Sequence, residues 1–195
     1  MLPDIKHDTQ TQKREKLPTL DMTITVLRLG HRSQRDKRLS THLILCARAL
    51  GADKVIYSGE EDPRLEAGIK DIVERWGGDF SIEYEFNWRK IVKNWTGTII
   101  HLTMYGLPVE ETAPIIRDSY EHLLVIVGGP KVPRDIYETA TWNISVTTQP
   151  HSEVSALAIF MYLIEGEKAL KREFSGASIK ISPNERGKNV EVSKD

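Results

Sequence analysis

The sequence predicts an α/β protein in which a parallel sheet carries helices on both faces. Segments typical of strands and of helices alternate through most of the 195 residues. The continuous apolar run at 123–127 is typical of a strand buried on both faces. This strand and another predicted at 142–148 end in turns rich in Gly, Pro, Ser and Thr. Open α/β sheets bind their ligands at such strand ends, so we expect the site there.

The first strand and the first helix follow from the pattern of side chains. Residues 23–29 alternate β-branched and apolar side chains, which predicts a strand. A helix is predicted at 39–50, with Ser40 or Thr41 as its N-cap, because a hydroxyl accepts hydrogen bonds from the free amides of the first turn. Gly51 is expected to end this helix.

The next segments repeat the alternation of strand and helix. A short strand at 54–57 precedes a helix at 63–76, which an Asp-Pro pair opens and a Gly-Gly pair ends. Alternating side chains predict a strand at 80–86, and a short helix follows at 88–95. These segments favour parallel strands joined by helices.

The second half of the chain continues this pattern as far as a different tail. A strand at 98–103 and a helix at 108–119 precede the two strands named above, and a helix at 153–174 follows them. Two short alternating segments within 177–192, joined by a Pro-Asn turn, predict a terminal β-hairpin.

Three regions are expected along the chain. Residues 1–21 are polar, lack the apolar stretch of a signal peptide and predict a disordered leader. Residues 22–175 are expected to form the α/β domain, and residues 176–195 a hairpin extension.

Composition and charge limit the classes of protein that fit. The formal net charge of -1 gives no global positive field, so contact with nucleic acid depends on local clusters of cations. The single cysteine, Cys46, excludes an internal disulfide framework and is expected to be a core residue. The longest apolar run, 156–164, is too short to span a membrane, so we expect a cytoplasmic protein without membrane contact.

Several common fingerprints are missing from the sequence. No Gly-x-Gly-x-x-Gly motif follows the first strand, which disfavours a nicotinamide site. Neither a P-loop nor a Gly-x-Ser-x-Gly elbow occurs. The six histidines and one cysteine show no zinc spacing, so no metal is expected.

Three candidate segments remain, each next to a predicted strand. The loop at 30–38 holds four cations against one acid, a composition that suits RNA phosphates, although a merely solvated loop is an equal alternative on composition. The segment 101–106 ends in Gly106, which either makes room for a ligand or forms an ordinary turn. Residues 128–132 and 145–152 are expected to form two walls of one pocket.

These segments, in this order, resemble the SPOUT superfamily of S-adenosylmethionine-dependent RNA methyltransferases, and within it the archaeal tRNA cytidine-56 2′-O-methyltransferase family. The resemblance rests on Leu-Arg-Leu-Gly-His-Arg at 27–32, Gly-Gly-Pro-Lys-Val-Pro at 128–133 and Ser-Val-Thr-Thr-Gln-Pro-His-Ser-Glu at 145–153. It covers the chain from Met22 onward. One departure is that the helix after the first strand lacks the arginine of the Asn-x-Gly-x-x-x-Arg pattern that other SPOUT ribose methyltransferases show.

The resemblance implies more than the pattern of residues does. It implies a C-terminal trefoil knot, which topology rules alone disfavour because threaded chains are rare. It also implies tRNA as the substrate, a homodimer, and S-adenosylmethionine bound in the loops of the knot. The residues implied to bind this cofactor are Leu102, Gly128, Gly129, Pro130, Lys131, Val132, Ser145, Val146, Thr147, Thr148, Gln149, Pro150, His151 and Ser152.

Candidate catalytic residues follow from the chemistry of ribose methylation. The reaction requires the hydroxyl to be positioned and its proton to be removed. A guanidinium stays protonated, so Arg35 or Arg38 is expected to bind a phosphate beside the target ribose. His31 or His42 is expected to accept the proton, because imidazole titrates near neutral pH. A purely structural role is the alternative for each histidine.

Other functions remain open at this point. A SPOUT base methyltransferase and a non-catalytic RNA-binding module both fit the same segments. An oxidoreductase on a doubly wound sheet fits the fold but not the missing glycine fingerprint. The choice of cytidine 56 follows from the resemblance alone.

Overall fold

The protein alternates strands and helices over residues 22–119, 122–129 and 131–193, which the structure, a computed structural model, describes. The strands are β1 (Thr23–His31), β2 (Lys54–Gly59), β3 (Ser81–Tyr84), β4 (Thr98–Pro108), β5 (His122–Gly128), β6 (Trp142–Ser145), β7 (Ile179–Ser182) and β8 (Asn189–Val192). The helices are α1 (Lys37–Ala49), α2 (Pro63–Trp76), α3 (Trp88–Asn94), α4 (Val109–Ser119), α5 (Arg134–Thr139) and α6 (Glu153–Glu165), followed by a 3₁₀ turn at Gly166–Leu170. The predicted leader at 1–21 lies outside the described residues.

Six of the strands form one sheet in the order β3-β2-β1-β5-β4-β6, and every neighbouring pair is parallel. Helices α1, α2, α4 and α6 pack on one face, and α3 and α5 pack on the other. The strand β5 lies between β1 and β4, and its residues 123–127 are buried on both faces. The predicted parallel sheet with helices on both faces is therefore confirmed.

The start of α2 shows how local sequence sets an element. The Asp62 Oδ1 accepts hydrogen bonds from the backbone amides of Arg64 and Leu65 at 3.1 and 3.0 Å, and Pro63 occupies the first helical position. Burial by itself would raise the pKa of Asp62, but the bonds from Leu65, His31 and Arg64 lower it overall. The predicted Asp-Pro start is confirmed.

The prediction for the start of α1 is wrong because a tertiary contact takes the capping hydroxyl. The helix begins at Lys37 with Asp36 at the N-cap position. The Ser40 side chain is buried, and its Oγ lies 2.8 Å from Nδ1 of His31. The Thr41 hydroxyl donates to the carbonyl of Lys37 within the helix, so neither residue caps it.

Three predicted elements are too long, and the first is the strand expected at 80–86, which the structure limits to Ser81–Tyr84. The strand β6 ends at Ser145 instead of residue 148, because Ser145 is its last residue paired with β4. The helix α6 ends at Glu165 instead of residue 174, because Gly166 turns to a φ of +65° and a short 3₁₀ turn follows. The six-residue helix α5 has no counterpart among the sequence predictions.

Gly106 has neither of the two roles left open for it, space for a ligand or an ordinary turn. Its position lies inside β4, which runs to Pro108 through an irregularity between Leu102 and Leu107. A Cβ added at Gly106 would lie 2.4 Å from the backbone carbonyl of Asn143 in β6. The glycine therefore makes room for a neighbouring strand and not for a ligand.

The terminal hairpin is confirmed, because β7 and β8 pair in antiparallel fashion as a separate two-stranded sheet. The segment before it is held to the end of α2. The amide of Gly78 donates to the carbonyl of Ser175 at 2.8 Å, and the amide of Ser178 donates to that of Arg75 at 3.1 Å. The division of the chain at residue 175 stays a prediction.

Two further expectations concern the helices: whether one could cross a membrane, and whether Cys46 is a core residue. None of the described helices combines the length and the apolar character that crossing a bilayer requires. The Cys46 side chain is partly buried on α1, and burial raises the pKa of its thiol.

Candidate functional site

Two cavities open at the carboxyl edge of the sheet, on either side of the loop that follows β5. The larger, about 840 Å³, lies beside the end of β1 and is lined by several charged residues; we call it the cationic cavity. The smaller, about 430 Å³, lies among the ends of β4, β5 and β6; we call it the apolar cavity. Gly129, Val132 and Glu153 line both cavities. The loop after β5 and the first residue of α6 therefore form their common wall.

The apolar cavity collects most of the residues implied to bind the cofactor. Those that line it are Leu102, Gly128, Gly129, Val132, Val146, Gln149, Pro150, His151 and Ser152. They come from β4, from the loop after β5 and from the segment between β6 and α6. The two expected walls thus meet around one cavity of a size typical of small-molecule sites.

The other implied cofactor residues lie elsewhere. Lys131 lines the cationic cavity. Ser145 is buried, and its hydroxyl donates to the carbonyl of Met104 at 3.4 Å. Thr147 and Thr148 are exposed and line neither cavity. Pro130 lies outside the described residues.

The strand β5 needs glycine at its last position. A Cβ added at Gly128 would lie 2.4 Å from Cγ2 of Val132, the β-branched side chain that lines both cavities. A Cβ added at Gly129 would meet only Oε1 of Glu153, at an ordinary 3.6 Å. The two adjacent glycines therefore differ in their need for space.

A buried histidine lies in the wall of the apolar cavity. His101 Nδ1 lies 2.8 Å from Asn143 Oδ1, and the Asn143 amide in turn donates to the carbonyl of Tyr137 at 2.9 Å. Burial lowers the pKa of His101, and the hydrogen bond to Asn143 only partly opposes this. With Nδ1 donating, Nε2 is an acceptor, and it has no partner among the described residues. The wall of the cavity thus contains a neutral, fixed imidazole whose Nε2 is buried.

The cationic cavity contains cations of two kinds. Arg32 pairs with Asp36 through two hydrogen bonds of 2.8 and 3.2 Å, and the bond from Arg32 lowers the pKa of Asp36. By contrast, Arg35 and Lys131 are exposed and have no ion-pair partner within the described part of the chain. Two unpaired cations in one cavity are suited to a phosphate group.

The predicted catalytic residues are not all brought together. Arg35 lines the cationic cavity, whereas Arg38 and His42 are exposed on α1 and line neither cavity. His31 reaches the cavity wall, but its ring is fully buried between Ser40 and Asp62, whose Oδ2 lies 3.5 Å from Nε2. The structure thus gives His31 structural partners and leaves Arg35 available.

Arg28 and Glu153 form a buried ion pair that the sequence analysis does not predict. Arg28 of β1 is 1% exposed, and its Nη2 lies 3.5 Å from Oε2 of Glu153 at the start of α6. Its Nη1 donates to the carbonyl of Leu29 at 2.9 Å. Burial raises the pKa of Glu153, and the charge of Arg28 opposes this. One signal was present in the sequence, since a charged residue inside an apolar strand is unusual unless it is paired.

The site has no cluster of three or more His, Cys, Asp or Glu side chains that suits a metal ion, as far as the described residues go. Its recognisable features are an apolar cavity with one buried acceptor, a cationic cavity, and a carboxylate between them.

Comparisons of sequence find relatives of this chain. A family profile described as tRNA ribose 2′-O-methyltransferase, aTrm56, matches residues 76–191. The tRNA (cytidine(56)-2′-O)-methyltransferase of Thermococcus kodakarensis is 50% identical over 172 residues, covering 86% of this chain and 96% of the relative. The enzyme of the same name from Pyrococcus horikoshii is 52% identical over 171 residues, covering 86% of this chain and 84% of the relative.

Comparisons of structure support the fold. A TrmH/SpoU tRNA modifying enzyme of A. aeolicus superposes with a TM-score of 0.56 at 18% identity, covering 78% of this chain and 80% of that one. An AdoMet-bound rRNA methyltransferase from Sinorhizobium meliloti gives a TM-score of 0.54 at 15% identity, covering 74% and 56%. These likenesses show that the sheet with its helices has the SPOUT arrangement, while the knot stays a prediction.

The need for glycine at the end of β5 can be tested with S-adenosylmethionine, the ligand that the sequence resemblance implies. We expect Gly128→Ala to weaken its binding about tenfold, because the new methyl group clashes with Val132, a side chain that lines the apolar cavity. Gly68→Ala on α2, where an added Cβ meets nothing within 4 Å and neither cavity is near, is the matched control and should bind within about threefold of the unchanged protein. Isothermal titration calorimetry measures both, and equal affinities for the two variants would contradict the packing argument.

Proposed function

Because the chain belongs to the family of tRNA ribose 2′-O-methyltransferases, we propose that it methylates the 2′-hydroxyl of cytidine 56 in tRNA, with S-adenosylmethionine as the methyl donor. The observation that carries this assignment is the identity of 50% and 52% to two relatives of that activity, over 86% of the chain. The apolar and cationic cavities, side by side at one sheet edge, supply places for a donor and for an RNA acceptor.

The residues of the apolar cavity suit the donor. The surface is mostly apolar, Gly129 leaves space for a close backbone approach, and the buried ring of His101 lies in the wall. We assign the lining residues Leu102, Gly128, Gly129, Val132, Val146, Gln149, Pro150, His151 and Ser152 to this ligand. When bound, S-adenosylmethionine supplies an electrophilic methyl group.

The cationic cavity suits the RNA. The guanidinium of Arg35, which has no ion-pair partner among the described residues, suits a phosphate beside the target ribose, and Lys131 adds a second positive charge in the same cavity. These contacts hold the ribose in position and stabilise negative charge near its hydroxyl. The role expected of Arg38 stays a prediction.

The apolar surface of the helices favours a second copy of the chain as a partner. On α6, Ile159 and Tyr162 are 44% and 41% exposed, and Ile115 on the adjacent α4 is 49% exposed. We assign this face to a homodimer interface.

A tRNA-modifying role also places the protein in the cytoplasm.

The activity can be tested by the position and chemistry of the methyl group. We expect unmodified tRNA incubated with the protein and labelled S-adenosylmethionine to yield labelled 2′-O-methylcytidine after nuclease digestion, mapped by mass spectrometry to position 56. A label on a base would support a base methyltransferase instead. The absence of labelled product, with the tRNA still bound, would support an RNA-binding module.

The role of Arg35 predicts a separation of binding from transfer. We expect Arg35→Ala to bind S-adenosylmethionine normally and to methylate tRNA at least about tenfold more slowly, because the phosphate loses a charge-assisted partner. Arg64→Ala removes an exposed arginine of α2 outside both cavities and serves as the control. Full activity of Arg35→Ala would remove this residue from the site.

The dimer predicts a definite mass. Sedimentation equilibrium should give twice the 22.2 kDa of the single chain. Ile159→Glu places a charge on the apolar face of α6 and should shift the protein toward the single-chain mass. A single-chain mass for the unchanged protein at micromolar concentration would contradict the dimer.

A further inference from the structure

The carboxylate of Glu153 stands between the two cavities. Among the described residues that line both, Glu153 is the ionisable one, the others being Gly129 and Val132. We infer that Glu153 accepts the proton of the target 2′-hydroxyl and that Arg28 is its positioning residue. This inference rests on the proposed function and names a proton acceptor for it.

The two oxygens of Glu153 have different surroundings. Oε2 is buried against Arg28 at 3.5 Å. Oε1 lies on the side of Gly129, where an added Cβ would be 3.6 Å away. The side chain keeps 21% of its surface exposed. Oε2 is therefore held by the charge of Arg28 alone, since it accepts no hydrogen bond from the described residues, and Oε1 lies toward the residues that line both cavities.

Arg28 is fixed by the sheet. It lies in register with Tyr57 of β2 and Val127 of β5, and its Nη1 is held by the carbonyl of Leu29. Its side chain is 2% exposed, and its Nε has no partner among the described residues. Because the buried guanidinium has so few partners, it depends on the carboxylate of Glu153 as its counter-charge. The fixed position of Arg28 therefore defines the position of that carboxylate.

The charges around Glu153 suit a proton acceptor. Burial raises its pKa and Asp36 acts in the same direction, whereas Arg28 and Arg32 lower it. The cations Arg35 and Lys131 line the same cavity as Glu153. A carboxylate whose pKa is raised toward the working pH is a better base than an ordinary exposed one.

Other acceptors in the cationic cavity are already engaged. Asp36 is held by two bonds from Arg32. Glu60 accepts from both the amide and the hydroxyl of Ser33, and the hydroxyl bond is the main cause of its lowered pKa. His31 is buried between Ser40 and Asp62. Glu153 therefore remains as the acceptor, with its Oε1 on the side of Gly129.

The step balances without any further reactant. The 2′-oxygen forms a bond to the methyl carbon while the carbon–sulfur bond breaks and its electron pair stays on sulfur. The hydroxyl proton passes to Oε1 of Glu153 and is then released to solvent. Arg28 holds the carboxylate in place before and after the transfer.

Glu153→Gln tests the proton acceptor directly. We expect kcat to fall about 100-fold or more, with the KM for tRNA and the calorimetric affinity for S-adenosylmethionine within about threefold of the unchanged protein. Glu74→Gln, an exposed acid on α2 outside both cavities, should leave all three unchanged. Glu153→Asp keeps the charge that Arg28 requires and should retain more activity than Glu153→Gln, which guards against a loss due to misfolding alone.

Two titrations separate a chemical role from a structural one. We expect the kcat of the unchanged protein to fall as the pH is lowered, because protonated Glu153 cannot accept the proton. The apparent pKa of this fall should equal the pKa of the Glu153 carboxyl measured by ¹³C NMR, and both should lie above that of an exposed glutamate. Arg28→Met removes the opposing charge and should move both values to higher pH, with thermal unfolding used to verify that the variant is folded.

The outcomes distinguish this inference from the function on which it rests. Wild-type activity in Glu153→Gln, or an acid limb that Arg28→Met leaves in place, would overturn the role of Glu153. Failure of the unchanged protein to methylate any tRNA would instead overturn the proposed function.

Discussion

The arrangement of the molecule depends on β5 being bonded along both edges and buried on both faces. Its pairing with β1 and β4 leaves the chain one exit, at Gly128, between the ends of two other strands. The loop that follows must therefore divide the sheet edge into two cavities and serve as a wall of each. Because the strand is held on every side, this wall is positioned by the core and not by the loop itself.

The second constraint is electrostatic. Placing Arg28 inside the sheet costs solvation free energy that its pairing with Glu153 partly offsets. Removing Glu153 would leave the buried charge of Arg28 uncompensated, so sheet and helix are linked at the point where they meet the site. The same carboxylate borders both cavities, and its position thus follows from the packing of the fold.

Local sequence predicted the elements whose signals are local. The apolar run of β5 and the Asp-Pro cap of α2 were identified correctly because burial and capping act within a few residues. The cap of α1 was missed because the Ser40 hydroxyl bonds to His31, and the end of β6 because pairing with β4 stops at Ser145. In both errors a contact between elements decided the outcome: the Ser40 hydroxyl bonds to the end of β1, and β6 stops where its pairing with β4 stops.

The sequence by itself determined the parallel sheet and the resemblance to a methyltransferase family, and it predicted the sheet edge at which the two cavities open, since apolar periodicity and exact strings are properties of the chain. The tertiary structure alone decided which charged groups meet. It placed Arg28 against Glu153, brought Arg35 to the cationic cavity and left Arg38 on the surface of α1. The reason is physical: strand register and helix packing join residues far apart in sequence, and no local pattern encodes those distances.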